Sequence, residues 1–144
     1  MTTELPIACD PYVFTPAERT KELALATAVL REWPTQRAEL PDGYQFHYLG
    51  DEQRFLALAE FVSKEHRCCP WARFALVLDP AAPGVPSAMR LAITGGADAR
   101  RFLGAGFALL DTLVAARDPA ASDDAHQEHA TRVWMQHQQQ SQRR

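Results

Sequence analysis

The chain is expected to adopt an α+β fold: a small antiparallel sheet of three or four strands with helices packed mainly on one face, in the order α-β-α-β-β-α. Three observations carry that expectation. Two helical segments are each opened by a capping residue and closed by a proline, at Thr15/Pro34 and Asp51/Pro70. Tyr44, Phe46 and Tyr48 alternate with Gln45 and His47, and Met89, Leu91 and Ile93 recur at the same period of two, which is the pattern of half-buried strands. The order of these elements suits one antiparallel layer with helices gathered on a single face.

Residues 1–14 read as an extended lead-in that carries Cys9. Thr15-Pro16-Ala17-Glu18 is a capping box with proline at the first helical position, so a helix starts there and runs to Trp33. Its apolar stripe is Leu23, Ala26, Leu30 and Trp33. A short apolar–polar segment, Arg37 to Leu40, precedes the turn residues Pro41-Asp42-Gly43. After the Tyr44–Leu49 strand, Asp51 caps a second helix with a predicted apolar stripe of Phe55, Leu58/Ala59, Val62, His66 and Cys69. In that register Cys69 continues the buried face, while Cys68 is turned about 100° towards the rim, beside Phe61. A strand from Arg73 to Leu78, a Pro-rich loop at 79–86 and a strand from Met89 to Thr94 follow. Gly95-Gly96 turns the chain into a third helix, roughly Ala97 to Arg117, with Phe102, Leu109, Leu110 and Leu113 as its core side. Gly104 and Gly106 weaken this helix by up to about 1 kcal/mol each relative to Ala, and allow close approach to the sheet. Residues 1–118 are thus expected to form a single domain. Residues 119–144 are a polar, Gln-rich tail in which Ala130, Val133 and Trp134 can make one amphipathic helix that docks or pairs into a homo-oligomer, with a frayed terminus the alternative.

At 144 residues and 47% hydrophobic, the chain can bury a core of its own. A formal charge of −3 offers no basic field for a phosphate backbone, so nucleic acid is not an expected partner. No apolar run approaches the roughly 20 residues that span a bilayer, so no membrane partner is expected. Leu5 to Cys9 faintly resembles a lipoprotein cleavage site but lacks the charged and apolar regions that should precede one, so a cytoplasmic location is expected. Dinucleotide, Walker A, H-E-x-x-H, G-x-S-x-G and C-x-x-C signatures are all missing, and no nucleotide cofactor is expected.

Chemistry concentrates in Phe61 to Phe74, FVSKEHRCCPWARF, where two cysteines meet at a helix–proline junction. The chain has three cysteines, and a reducing compartment makes a disulfide framework an unfavourable expectation. Cys68 and Cys69 also sit too close for ordinary pairing, with Cα atoms about 3.8 Å apart against a floor of roughly 4.4 Å. Thiols are therefore the expected resting state. Thiolates select soft ions, and adjacent cysteines suit linear or trigonal coordination better than the spaced pairs of structural zinc. The negative end of the helix dipole disfavours a free thiolate at this position, although Lys64, His66, Arg67 and Arg73 can offset it. A bound ion would deprotonate the thiols outright.

Cys9-Asp10, Pro16-Ala17-Glu18-Arg19, Leu40-Pro41-Asp42-Gly43-Tyr44 and Glu65-His66-Arg67-Cys68-Cys69-Pro70-Trp71 occur in one order, with Thr94-Gly95 before the last helix. In this the chain resembles a group of small bacterial proteins that share a Glu-Arg-x-Cys-Cys-Pro-Phe signature and carry no assigned activity. The likeness covers about residues 5–110, with His66 and Trp71 standing where the signature has Arg and Phe. It implies that all three cysteines belong to one site.

The expected function is binding of a soft metal or metalloid ion, of the Cu(I), Hg(II) or As(III) type, for buffering, transfer or detoxification. Its ligands would be Cys9, Cys68 and Cys69, with Glu65, His66 and Arg67 around them. The alternative is a thiol-dependent redox enzyme or sensor in which Cys68 reacts and Cys9 or Cys69 resolves it. A third reading, a small-molecule-binding or oligomeric module with structural cysteines, uses the aromatic row and the tail.

Overall fold

The computed structural model describes residues 7–142; residues 1–6 of the lead-in and the last two residues of the tail lie outside it. Two layers are present, a four-stranded antiparallel sheet and helices laid on one of its faces. The elements are α1 (Pro16–Thr27), β1 (Gln36–Leu40), β2 (Gly43–Leu49), α2 (Glu52–Cys68), β3 (Arg73–Leu78), β4 (Ala88–Thr94), α3 (Ala99–Ala115) and α4 (Asp123–Gln142). A 3₁₀ turn at Pro11–Val13 precedes α1, and a π-helical turn at Ala28–Glu32 extends it.

The strand order is β1-β2-β4-β3. Register follows the period-two pattern: Tyr44, Phe46 and Tyr48 lie opposite Ile93, Leu91 and Met89, which lie opposite Phe74, Leu76 and Leu78. These residues share one face because alternate side chains of a strand point the same way. That face meets Leu58 and Phe61 of α2, Phe107 of α3 and Val29 of the π turn in a continuous core. The Tyr44 and Phe46 rings both pack edge-on against Phe107, at 5.0 and 5.4 Å. The Tyr48 hydroxyl donates to the Val29 carbonyl at 2.8 Å, which gives the buried phenol a partner.

The α1 capping box forms: Thr15 Oγ1 accepts from the Glu18 amide and the Glu18 carboxylate accepts from the Thr15 amide. Asp51 caps α2 by accepting from the Arg54 amide. Gly104 and Gly106 point different ways. A Cβ at Gly104 would stand 2.7 Å from the Tyr44 hydroxyl, so this glycine does bring α3 close to the sheet. At Gly106 the near neighbour is the Trp134 ring of α4, 3.2 Å away.

Three sequence-based registers are corrected. On α2 the buried residues are Leu58, Phe61 and Cys68, and His66 is exposed, so the inward face is one position round from the predicted stripe. On α1 and the π turn that extends it the buried side chains are Glu22 and Val29, while Leu23, Ala26 and Leu30 are half-buried. On α3 the buried ones are Ala99 and Phe107, while Phe102, Leu109, Leu110 and Leu113 are half-buried. The half-buried sets of α1 and α3 share a cause: both line one cavity. Residues 123–142 form a helix that packs on α1 and α3 of its own chain. Among the described residues, no helix is long and apolar enough to cross a membrane.

Candidate functional site

The site begins where α2 stops. Pro70 prevents further helix, and Cys69 leaves helical geometry at φ −121°, ψ 71°, with its amide still donating to the Glu65 carbonyl at 2.7 Å. That departure is why the helical extrapolation placed only one cysteine inwards. Cys68 ends the inward face of the helix, Cys69 swings back towards the same space, and each is only 7% exposed. The expectation that Cys68 sits at the rim is therefore corrected.

Cys9 reaches them from 60 residues upstream because the lead-in is held by its own backbone. The Trp71 indole donates to the Ala8 carbonyl at 3.1 Å, and the Asp10 amide donates to the Cys68 carbonyl at 3.0 Å. Between them, Gln138 of α4 grips Cys9 on both sides: its Oε1 accepts from the Cys9 amide at 2.8 Å and its Nε2 donates to the Cys9 carbonyl at 2.9 Å. Gln138 is 5% exposed, so these bonds are shielded from water. The C-terminal helix thus builds one wall of the site. Arg67 braces the next stretch, donating to the Val13 carbonyl at 3.1 Å and to Glu18 at 3.3 Å while lying over the Phe14 ring.

The three sulfurs lie within 4.8 Å of one another. Cys9 and Cys69 are joined as a disulfide, with Cα atoms 4.6 Å apart, and Cys68 is the free thiol. This corrects the expectation of three thiols. Close spacing does rule against a Cys68–Cys69 bond, but it has no bearing on a partner brought in from a distant segment. The Cys68 thiol is pushed well above the ordinary cysteine value, first by burial and then by the negative charges of Glu65, Asp10 and Glu22.

Of the residues expected around the cysteines, Glu65 reaches them: the Cys69 sulfur lies 3.8 Å from Glu65 Oε2. His66 is exposed and meets the Phe74 ring instead, at 6.4 Å between centroids. Arg67 is exposed and holds the lead-in rather than the sulfurs.

Glu22 was not anticipated. It is 4% exposed, and neither carboxyl oxygen meets a donor among the described residues. Its neighbour is Glu65, and the two carboxyls can bond only by sharing a proton. Both are held above the usual carboxylate range, chiefly by burial, and Glu22 further by the charge of Glu65. The signal for it lies in the α1 pattern, since Glu22 stands four residues before Ala26 on the stripe that also carries Leu30 and Trp33.

Cysteines and carboxyls open into one cavity of about 220 Å³, walled by α1, α2, α3 and α4 and lined mainly by apolar side chains. Trp71, Phe102 and Trp134 form an aromatic run along it, stacked edge-on at 5.4 and 5.6 Å. The site can present one thiol or three, depending on oxidation state, beside a carboxyl pair that holds at least one proton and an apolar chamber. Comparison with protein-family models, with curated proteins and with solved structures finds no match to this chain.

Proposed function

We propose that the reduced chain binds a soft metal or metalloid ion through Cys9, Cys68 and Cys69, for buffering, transfer or detoxification in the cytoplasm. The observation that supports this most is the convergence of three sulfurs from two distant segments to within 4.8 Å of one another. Sulfur-only donor sets select Cu(I)-, Hg(II)- and As(III)-like ions over hard cations. The raised Cys68 thiol fits a ligand that ionises when an ion arrives better than a nucleophile that must be ionised beforehand. Glu65, beside the Cys69 sulfur, is placed to influence that ionisation.

The test uses protein reduced with a phosphine and titrated with arsenite, Hg(II) or Cu(I) under anaerobic conditions. One ion per chain is expected, with Cys68→Ser and Cys69→Ser each losing most of the affinity. Unchanged affinity in either variant would refute the proposal.

The disulfide itself favours a second reading, a redox sensor in which Cys9 and Cys69 are the switching pair. Cys68 would then be the neighbouring thiol able to exchange with the bond, as an enzyme or sensor with a reactive Cys68 requires. Alkylation of Cys68 as a function of pH separates the readings. A half-reaction point below the ordinary ~8.5 supports the sensor, and one well above it supports the ligand.

A further inference from the structure

An ion held by three sulfurs needs little room beyond the sulfurs themselves, with metal–sulfur bonds of about 2.3 Å. The cysteine cluster here opens into a chamber of about 220 Å³. Protein interiors leave few voids larger than a water molecule, and an apolar cavity of about 150 Å³ suffices to hold benzene. The chamber is lined by groups that suit an aromatic ring: Trp71, Phe102 and Trp134, with Leu110 and Ala26 between the helices. Glu22, 4% exposed, lines the same space with two carboxyl oxygens that meet no N–H or hydroxyl donor among the described residues. A ligand with a soft centre, an apolar substituent and an exchangeable hydroxyl would use all three features.

Building on the function proposed above, we infer that the site takes a mono-organic derivative of a trivalent metalloid: an aryl-arsenic(III) species whose ring fills the chamber while arsenic binds two cysteine sulfurs. The Cys9–Cys69 bond must first be opened. Two equivalents of a small thiol do this, leaving as their own disulfide and returning two protein thiols. An arylarsonous acid, R–As(OH)₂, then reacts with two cysteine thiols. Two As–O bonds break, two As–S bonds form, and the thiol protons leave on two waters. Arsenic stays trivalent and the As–C bond is kept. Glu22 accepts a hydrogen bond from an As–OH group of the incoming acid, so it acts on the encounter complex alone; the two-sulfur product carries no As–OH.

Phenylarsonous and methylarsonous acids share the same two-sulfur chemistry and differ only in the group that would occupy the chamber. With phosphine-reduced protein, the phenyl compound is expected to bind at least about tenfold more tightly, a modest share of what burying a ring provides. Quenching of Trp71 and Trp134 fluorescence should accompany it. Ala26→Phe, which fills the chamber from α1, should remove most of the phenyl preference while leaving arsenite binding unchanged. Leu110→Trp does the same from α3 and serves if the first variant fails to fold by circular dichroism. Equal affinity for phenyl and methyl, or a preference that survives a folded chamber-filling variant, would overturn the inference while arsenite binding kept the parent proposal intact. Absence of binding by all three compounds would overturn the inference and the arsenic form of the parent proposal; absence of Hg(II) and Cu(I) binding as well would overturn the parent proposal itself.

Discussion

Replacing Glu22 by Gln should flatten the pH dependence of stability, and the size of the change can be worked out. Glu22 is 4% exposed, finds no N–H or hydroxyl donor among the described residues and faces Glu65, so the fold holds its carboxyl neutral while the unfolded chain ionises it at about the ordinary 4.5. Between those limits the folded state binds the extra proton, and stability falls as pH rises. The window opens near 4.5 and closes where Glu22 ionises within the fold, about 9. Each excess proton contributes a slope of about 1.4 kcal/mol per pH unit, so one proton held from pH 5 to pH 7 amounts to roughly 3 kcal/mol. Glu65, raised in the same direction, adds to the slope in the lower part of the window. His126, held below its ordinary value by burial, gives an opposite slope just below 6.5. That contribution is common to both proteins and drops out of the comparison.

In Glu22→Gln the amide cannot ionise, and it can donate to Glu65. Urea unfolding of the disulfide-intact proteins at pH 5, 6, 7 and 8 measures both slopes. In wild type Glu22 should account for a loss of about 3 kcal/mol between pH 5 and 7, with Glu65 adding to it, and the variant should be flatter by about one proton. A wild type insensitive to pH over this range, or a variant with the wild-type slope, would refute the carboxyl-pair account.

Reducing the Cys9–Cys69 bond frees a 60-residue loop and should lower stability by about 4 kcal/mol on chain entropy, seen as a lower urea midpoint with reductant; Cys68→Ser in the oxidised protein should leave that difference unchanged. Tyr48→Phe strands the buried Val29 carbonyl and should cost about 1–3 kcal/mol by urea denaturation. Gln138→Ala removes both bonds to the Cys9 backbone, so amide exchange at Cys9 and the rate of disulfide reduction should both rise, with no change expected at the far edge strand β1.

Which features could be read beforehand follows from how local they are. The capping box at Thr15, the cap at Asp51, the alternating strand at 44–48 and the stop at Pro70 each depend on residues a few positions apart, and all appear in the fold. Strand β3 matches its expected bounds, because Pro70 and the Asp79-Pro80 loop punctuate it on both sides. The helix stripes depart from expectation because an apolar helix face can border a cavity as well as a filled core. Leu23, Ala26, Leu109 and Leu113 face a chamber, so they are half-buried while Glu22 and Phe107 lie deeper. The cysteine pair was legible as a site, but its orientation was not: helical periodicity ends at Cys68, and Cys69 obeys turn geometry instead.

By itself, the sequence determined the class of fold, the order of every element through α3 except the edge strand β1, and the place where the chemistry gathers, because propensity, capping and alternation act over one or two turns of chain. Only the tertiary structure decided that Cys9 lies against Cys69, that Gln138 of the last helix clamps it, and that Glu22 joins Glu65 beside the sulfurs. Those contacts link residues up to 129 positions apart. They arise when four helices close over one face of a sheet and leave a chamber between them, a matter of packed volumes that no local pattern encodes.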